Sequence, residues 1–258
     1  MSIFLEDISR TLPQTSEETE WFFKQGSLYF EDGKFQEAFD NYTSALYGDT
    51  NNTEYWYQHG MAAMHLKRYY TMEISFRKAI EINPNVAKYY YSRGTAYLYL
   101  FTSYSFKALG DFEKAISLDP ENLDYYAGRG AGYGISHQWE KAIVDFNKVI
   151  KVETEDPVLY IKRGMAYLML EKIDEAISDF SKAISLDIHG TNRLCLRGIL
   201  YKINHYREKG NGDFLSLIRQ IFAKPVATTH YYREKSTVDF IHLIRRIFTK
   251  PLATTHYM

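Results

Sequence analysis

Apolar residues recur along most of this chain at spacings of three and four positions. That is the period of one face of an α-helix, so the pattern predicts a chain of short amphipathic helices. A clear example is the set Ala142, Ile143, Phe146, Val149 and Ile150. Pro84 and Pro120 each follow such a segment, at a place where the missing N–H group would end a helix.

A longer pattern of glycine and aromatic residues returns five times, at intervals of about 34 residues. Each copy has a glycine in its first predicted helix, at Gly26, Gly60, Gly94, Gly130 and Gly164. Each copy has an aromatic residue in its second predicted helix, at Tyr42, Phe76, Phe112, Phe146 and Phe180. Glycine inside a helix costs roughly 1 kcal/mol relative to alanine, so we expect the two helices to pack closely at these positions.

The repeated units span residues 19–52, 53–86, 87–122, 123–156 and 157–190, and a partial sixth unit begins at Thr191. The third unit contains YYYSRGTAYLYL and ALGDFEKAISLDP, and the fifth contains LYIKRGMAYLML and EAISDFSKAISLD. These units closely resemble the tetratricopeptide repeat (TPR), from residue 19 to about residue 203. The resemblance implies an all-α fold, a right-handed α-solenoid of stacked helix-turn-helix repeats after an N-terminal segment at 1–18. Because one helix pair cannot bury its own apolar face, we expect function on the surface that stacking creates.

The resemblance also implies a concave groove lined by the first helices, and its positions in this chain are mainly apolar. They hold Phe23, Phe30, Tyr57, Met61, Met64, Tyr91, Leu98, Tyr99, Ala127, Ala131, Gly134, Ile161, Met165, Leu168 and Met169. Methionine and tyrosine offer adaptable contact area, so we predict that the groove binds an apolar or amphipathic peptide segment. The small residues of the fourth unit predict a pocket there. Alternatively, some of these side chains fill the space between neighbouring helices.

Many TPR co-chaperones bind the acidic tails of heat-shock proteins through a clamp of Lys, Asn and Arg on the first helices. The matching positions here hold Phe23, Ser27, Gln58, Lys88 and Ser92, of which only Lys88 fits. The sequence therefore argues against binding of acidic tails.

Arginine precedes the unit glycine in four units, and aspartate precedes the second-helix aromatic residue in three. These residues are Arg93, Arg129, Arg163, Arg197, Asp111, Asp145 and Asp179. In the first two units both positions change together, to Gln25 with Asn41 and to His59 with Ser75. Such matched changes predict structural ion pairs rather than an anion-binding ladder. Each arginine could meet the aspartate of its own unit or of the preceding unit.

Residues 204–258 form a tail with a second duplication, in which 206–231 and 232–257 are identical at 18 of 26 positions. Each copy predicts a short amphipathic helix that is too short to be stable alone in water. The tail could cap the stack, fill the groove, mediate self-association or be disordered. Basic residues beside the apolar stripes also leave contact with a membrane surface as an alternative.

Composition narrows the function classes. The chain has 31 Lys and Arg against 32 Asp and Glu, so its net charge does not indicate binding to nucleic acid. Cys195 is the only cysteine, which fits a reducing compartment and excludes an internal disulfide. No apolar stretch is long enough to cross a membrane, and no motif indicates a catalytic site, a metal site or a cofactor. We therefore expect a cytoplasmic, non-catalytic scaffold for protein interactions. A chaperone for a secreted or membrane-inserting client and a self-assembling structural protein are the alternatives.

Overall fold

The computed structural model describes residues 12–100, 104–152, 155–186 and 192–208, and in these ranges helices alternate with turns. The described residues form eleven α-helices. They are α1 (Ser16–Glu31), α2 (Phe35–Gly48), α3 (Thr53–His65), α4 (Tyr69–Ile82), α5 (Ala87–Leu100), α6 (Ser105–Leu118), α7 (Leu123–Ile135), α8 (Trp139–Ile150), α9 (Pro157–Met169), α10 (Ile173–Leu186) and α11 (Asn192–Glu208). The predicted all-α architecture of consecutive helix pairs is confirmed.

The chain divides into two compact halves, called the first half and the second half below, with the boundary between Glu121 and Asn122. In the first half, α1 pairs with α2, α3 with α4, and α5 with α6. These pairs are joined by contacts of α2 with α3 and of α4 with α5. In the second half, α7 pairs with α8 and α9 with α10, α8 contacts α9, and α11 packs against α10.

Local sequence chemistry sets where these helices begin. Four of the first helices follow a residue whose side chain accepts a hydrogen bond from a backbone N–H of the first turn. These capping residues are Thr15, Asn52, Asn122 and Asp156. Such a cap typically contributes about 1 kcal/mol to helix stability. The turns that lead into four of the second helices contain one residue each in the left-handed region, namely Gly33, Lys67, His137 and Glu171.

Inside each pair, the glycine of the first helix lies against the aromatic ring of the second. A Cβ atom on Gly60 would lie 2.7 Å from Cε1 of Phe76, closer than real Cβ contacts allow. The other four unit glycines meet the rings of Tyr42, Phe112, Phe146 and Phe180 in the same way. These rings are essentially fully buried, so the close approach at glycine places them in the core.

The close approach can be tested with two glycines that lie in different surroundings. Gly110 is exposed within α6, and an added Cβ would meet no atom within 4 Å. We expect Gly110→Ala to raise the free energy of unfolding by up to about 1 kcal/mol, because alanine has the higher helix propensity. Gly60→Ala has the same gain but must displace the Phe76 ring, so we expect a net loss of about 1 kcal/mol. Urea unfolding measures both changes, and a Gly60→Ala variant more stable than the unchanged protein would contradict this packing.

Several predictions concern residues outside the described ranges. They include those on the two tail copies, of which only Tyr206–Glu208 lie in α11. These stay predictions. Among the helices of the described ranges, none has both the length and the apolar composition needed to cross a membrane.

Candidate functional site

In the first half, the structure separates the predicted groove residues into two groups. Tyr57, Met61 and Leu98 are buried, so they offer almost no surface to a partner. The half-buried group consists of Phe23, Phe30, Met64, Tyr91 and Tyr99. Only this second group can contribute substantial contact area without a rearrangement of the helices.

The half-buried side chains also join neighbouring helix pairs. Tyr99 of α5 stacks on Tyr69 of α4 with ring centroids 4.8 Å apart, and burial raises the pKa of Tyr99 to about 12. The rings of Phe30 in α1 and His65 in α3 are nearly perpendicular, with their centroids 5.3 Å apart. Tyr99 and Phe30 therefore take part in packing between pairs.

In the second half, the predicted groove residues lie deeper. Met165 is 1% exposed and Leu168 is fully buried, whereas Ile161 and Met169 are half-buried. A change at Met165 would disturb the core as well as the groove, so Met165 is a poor probe of binding. The small residues Ala127, Ala131 and Gly134 are also buried. A bulky anchor would reach them only after neighbouring side chains move, and the pocket stays a prediction.

The first helices of the first half, α1, α3 and α5, also carry a row of charged and polar side chains that the groove prediction did not include. This row, called the polar strip below, consists of Glu20, Lys24, Glu54, Gln58 and Lys88. Glu20 accepts a hydrogen bond from the Tyr55 hydroxyl at 3.1 Å, and Lys88 Nζ donates to Glu54 Oε2 at 3.2 Å. Lys88 Nζ also lies 4.2 Å from the ring centroid of Tyr57.

A sequence signal for the polar strip exists. Glu20, Glu54 and Lys88 each lie six residues before a unit glycine, so a charge recurs at one repeat position. These residues lie near the N-terminal ends of α1, α3 and α5, whereas Phe30, Met64 and Tyr99 lie near the C-terminal ends. These three helices are therefore charged towards one end and apolar towards the other.

The arginines that precede the unit glycines bind the aspartate of their own unit. Nε and Nη2 of Arg129 donate to the two carboxylate oxygens of Asp145, both at 2.8 Å. Arg93 with Asp111 and Arg163 with Asp179 have the same bidentate geometry. Asp179 accepts both of these hydrogen bonds from Arg163, and Arg197 is exposed. The structure therefore does not place Arg197 in an ion pair with Asp179.

Two tyrosine rings flank the guanidinium group of each paired arginine. Cζ of Arg129 lies 5.5 Å from the ring centroid of Tyr126 and 5.8 Å from that of Tyr133. Arg93 and Arg163 are flanked in the same way, by Tyr90 with Tyr97 and by Tyr160 with Tyr167. The sequence signal was a Tyr-x-x-Arg-Gly-x-x-Tyr pattern in the third, fourth and fifth units. Rings and carboxylates occupy the arginines, which supports a structural role over an anion-binding one.

In the second repeat, a neutral polar pair replaces the ion pair. Nδ1 of the buried His59 lies 2.8 Å from Ser75 Oγ, and Ser75 Oγ donates to the carbonyl oxygen of Thr71 at 2.7 Å. Because the Ser75 proton is used in this way, the His59 ring must carry its proton on Nδ1 and donate to Ser75. Burial, assisted by repulsion from Arg68, lowers the pKa of His59 to about 4.

In the described ranges, no three His, Cys, Asp or Glu side chains form a group that could hold a metal ion. The arrangements found are helix packing, ion pairs between helices, and a partly exposed face on α1, α3 and α5. This combination suits binding of another chain.

Comparisons with known proteins agree with this description. A family model described as "Tetratricopeptide repeat" matches residues 53–86 and 158–187. No curated protein matches the sequence. A crystal structure of the MamA protein is 25% identical with a TM-score of 0.59, and the match covers 67% of this chain and 93% of that one.

Two further solved structures support the fold alone, because their sequence identity is low. A TPR protein from Parabacteroides merdae is 20% identical with a TM-score of 0.64, over 95% of this chain and 89% of that one. A thermophilic TPR protein from Thermus thermophilus is 18% identical with a TM-score of 0.57, over 72% of this chain and 99% of that one. TPR proteins are generally interaction modules without catalytic activity. With helix pairs of the same kind and two matches to the family model, this chain contains tetratricopeptide repeats at residues 53–86 and 158–187.

Proposed function

We propose that this protein is a non-catalytic scaffold that binds an apolar or amphipathic peptide segment along the first helices of its repeats. The observation that carries the proposal is the partly exposed row of Phe30, Met64 and Tyr99 on α1, α3 and α5. Large apolar side chains that remain partly exposed on the first helices of three successive repeats favour contact with a partner. A solved structure with the same fold, YrrB, is described as a TPR protein with an unusual peptide-binding site.

The polar strip limits which peptide would fit. Its two lysines are already engaged by carboxylates, since Lys24 Nζ lies 3.6 Å from Glu20 Oε1 and Lys88 Nζ binds Glu54. Gln58 Nε2 also donates to Glu54, at 2.8 Å. The strip is therefore balanced in charge and would select for polar rather than strongly acidic residues. A suitable peptide would have apolar anchors at one end and uncharged polar residues at the other.

A peptide-display selection against the full-length protein tests this function. We expect the selected peptides to contain aromatic residues, leucine or methionine as anchors. Met64→Asp is expected to weaken their binding at least tenfold, because a change at a contact hot spot typically costs more than about 1.4 kcal/mol.

The matched control is Val144→Asp, which introduces the same charge at an exposed apolar position on a second helix. We expect Val144→Asp to leave binding unchanged. Peptides selected without apolar anchors, or equal weakening by both variants, would contradict the proposed groove.

A further inference from the structure

The first helices α3, α5 and α9 are each covered on one side by the second helix of the preceding pair. Two positions of these helices lie under this cover, five residues before and two residues after the repeat glycine. They hold Tyr55 with Ala62, Tyr89 with Ala96, and Leu159 with Ala166. All six of these side chains are at most 5% exposed. The two positions together are called the stacking face below.

The first interface shows what covers a stacking face. Tyr55 of α3 belongs to one apolar cluster with Ala45 and Leu46 of α2. Ala62 of α3 belongs to another with Ala38 and Tyr42 of α2. A suitable cover is therefore a helix that presents apolar side chains spaced by about one turn.

In α1 the same two positions hold Trp21 and Leu28, which are 55% and 56% exposed. The sequence thus places large apolar side chains at positions that are buried in later repeats. Trp21 makes an edge contact with Phe22 at 5.1 Å, and most of its ring surface remains open. At about 25 cal/mol per Å² of apolar area, covering these two side chains would be favourable.

We propose that residues 1–11 of this chain cover the stacking face of α1, in the place of a preceding second helix. These residues lie outside the described ranges, and their sequence carries Phe4, Leu5 and Ile8 at helical spacing. Eleven residues in a helix would span roughly 16 Å, about three quarters of the length of a second helix such as α2.

The connection to α1 has a suitable length. Residues 12–15 link residue 11 to the start of α1, and residues 49–52 and 83–86 make the four-residue connections from α2 to α3 and from α4 to α5. A connection of this length places two helices side by side in opposite directions. Covering the stacking face of α1 would also prevent it from stacking on another molecule.

The test follows the exposure of Trp21 to water in the full-length protein labelled with 5-fluorotryptophan. The ¹⁹F signal of Trp21 is assigned with Trp21→Phe, and its shift between H₂O and D₂O reports contact with water. We expect a small solvent shift in the unchanged protein and a larger one in Ile8→Asp. Ser9→Asp, which adds the same charge one residue away from the apolar positions, should leave the shift small.

The signals of Trp56 and Trp139 show whether each variant remains folded, and Phe4→Asp repeats the test if Ile8→Asp does not fold. A large shift in the unchanged protein would overturn the proposal, because the face would then be open. A small shift that persists in Ile8→Asp would also overturn it. If that protection disappears on dilution, a second copy of the chain is the cover instead.

Discussion

Replacing Arg129 with methionine is expected to lower the free energy of unfolding by about 3–5 kcal/mol, because it leaves a buried carboxylate without its partner. Asp145 is 3% exposed, and both of its carboxylate oxygens accept hydrogen bonds from Arg129. Methionine would retain part of the contact with the flanking tyrosines but none of the charge. Urea unfolding at neutral pH measures the loss.

A double-mutant cycle identifies the cause of that loss. Combining Arg129→Met with Asp145→Leu should recover much of the stability, since an apolar pair of similar volume requires no compensating charge. Lys34→Met serves as the control, because Lys34 and Asp32 form an exposed ion pair and the variant should unfold at an unchanged urea concentration. If the double variant is as unstable as the sum of its single changes, the Arg129–Asp145 pairing is not the source of the effect.

The first half of the chain is expected to lose stability as the pH falls from 7 to 5, by about 2 kcal/mol from His59 alone. The pKa of His59 is lowered to about 4 in the folded protein, below its ordinary value of 6.5. Between these two values the unfolded chain binds more protons than the folded one. Stability from His59 is therefore fully present above pH 6.5 and is lost progressively as the pH falls towards 4.

His59→Asn should remove most of this pH dependence, because the asparagine amide can donate to Ser75 as the neutral imidazole does and does not titrate. The measurement is urea unfolding at pH 7 and pH 5, followed by the fluorescence of Trp56, which lies beside His59. His137→Asn changes an exposed histidine in the second half of the chain and is the matched control. An equal pH dependence in the unchanged protein and in His59→Asn would contradict burial of a neutral His59.

The ion pairs show how much of the site could be predicted from the sequence. Paired changes between units predicted that arginine and aspartate meet, because both positions vary together within one chain. The choice between the aspartate of the same unit and that of the preceding one depended on helix geometry, and the structure places each pair within a unit. The flanking tyrosines recur at a fixed sequence spacing, yet their role becomes clear only when their rings lie beside the guanidinium group.

The groove residues differ more between the sequence prediction and the structure. Met61 and Met64 lie one helical turn apart on α3, and the repeat pattern gives both a place on the same face. The structure buries Met61, whereas part of Met64 remains exposed. The groove prediction did not include the polar strip, in which Tyr55 bonds to Glu20 and Lys88 to Glu54 across a separation of 35 and 34 residues.

The sequence by itself determined that this chain forms consecutive helix pairs, each closed by a glycine against an aromatic ring. Those features depend on local periodicity and on contacts within about 20 residues, so they can be read along the chain. Only the tertiary structure decided which apolar side chains lie between helices and which remain accessible to a partner. Burial is set by the neighbouring pair, as the contrast between Trp21, which no second helix precedes in the described ranges, and the buried Tyr55 at the same repeat position shows.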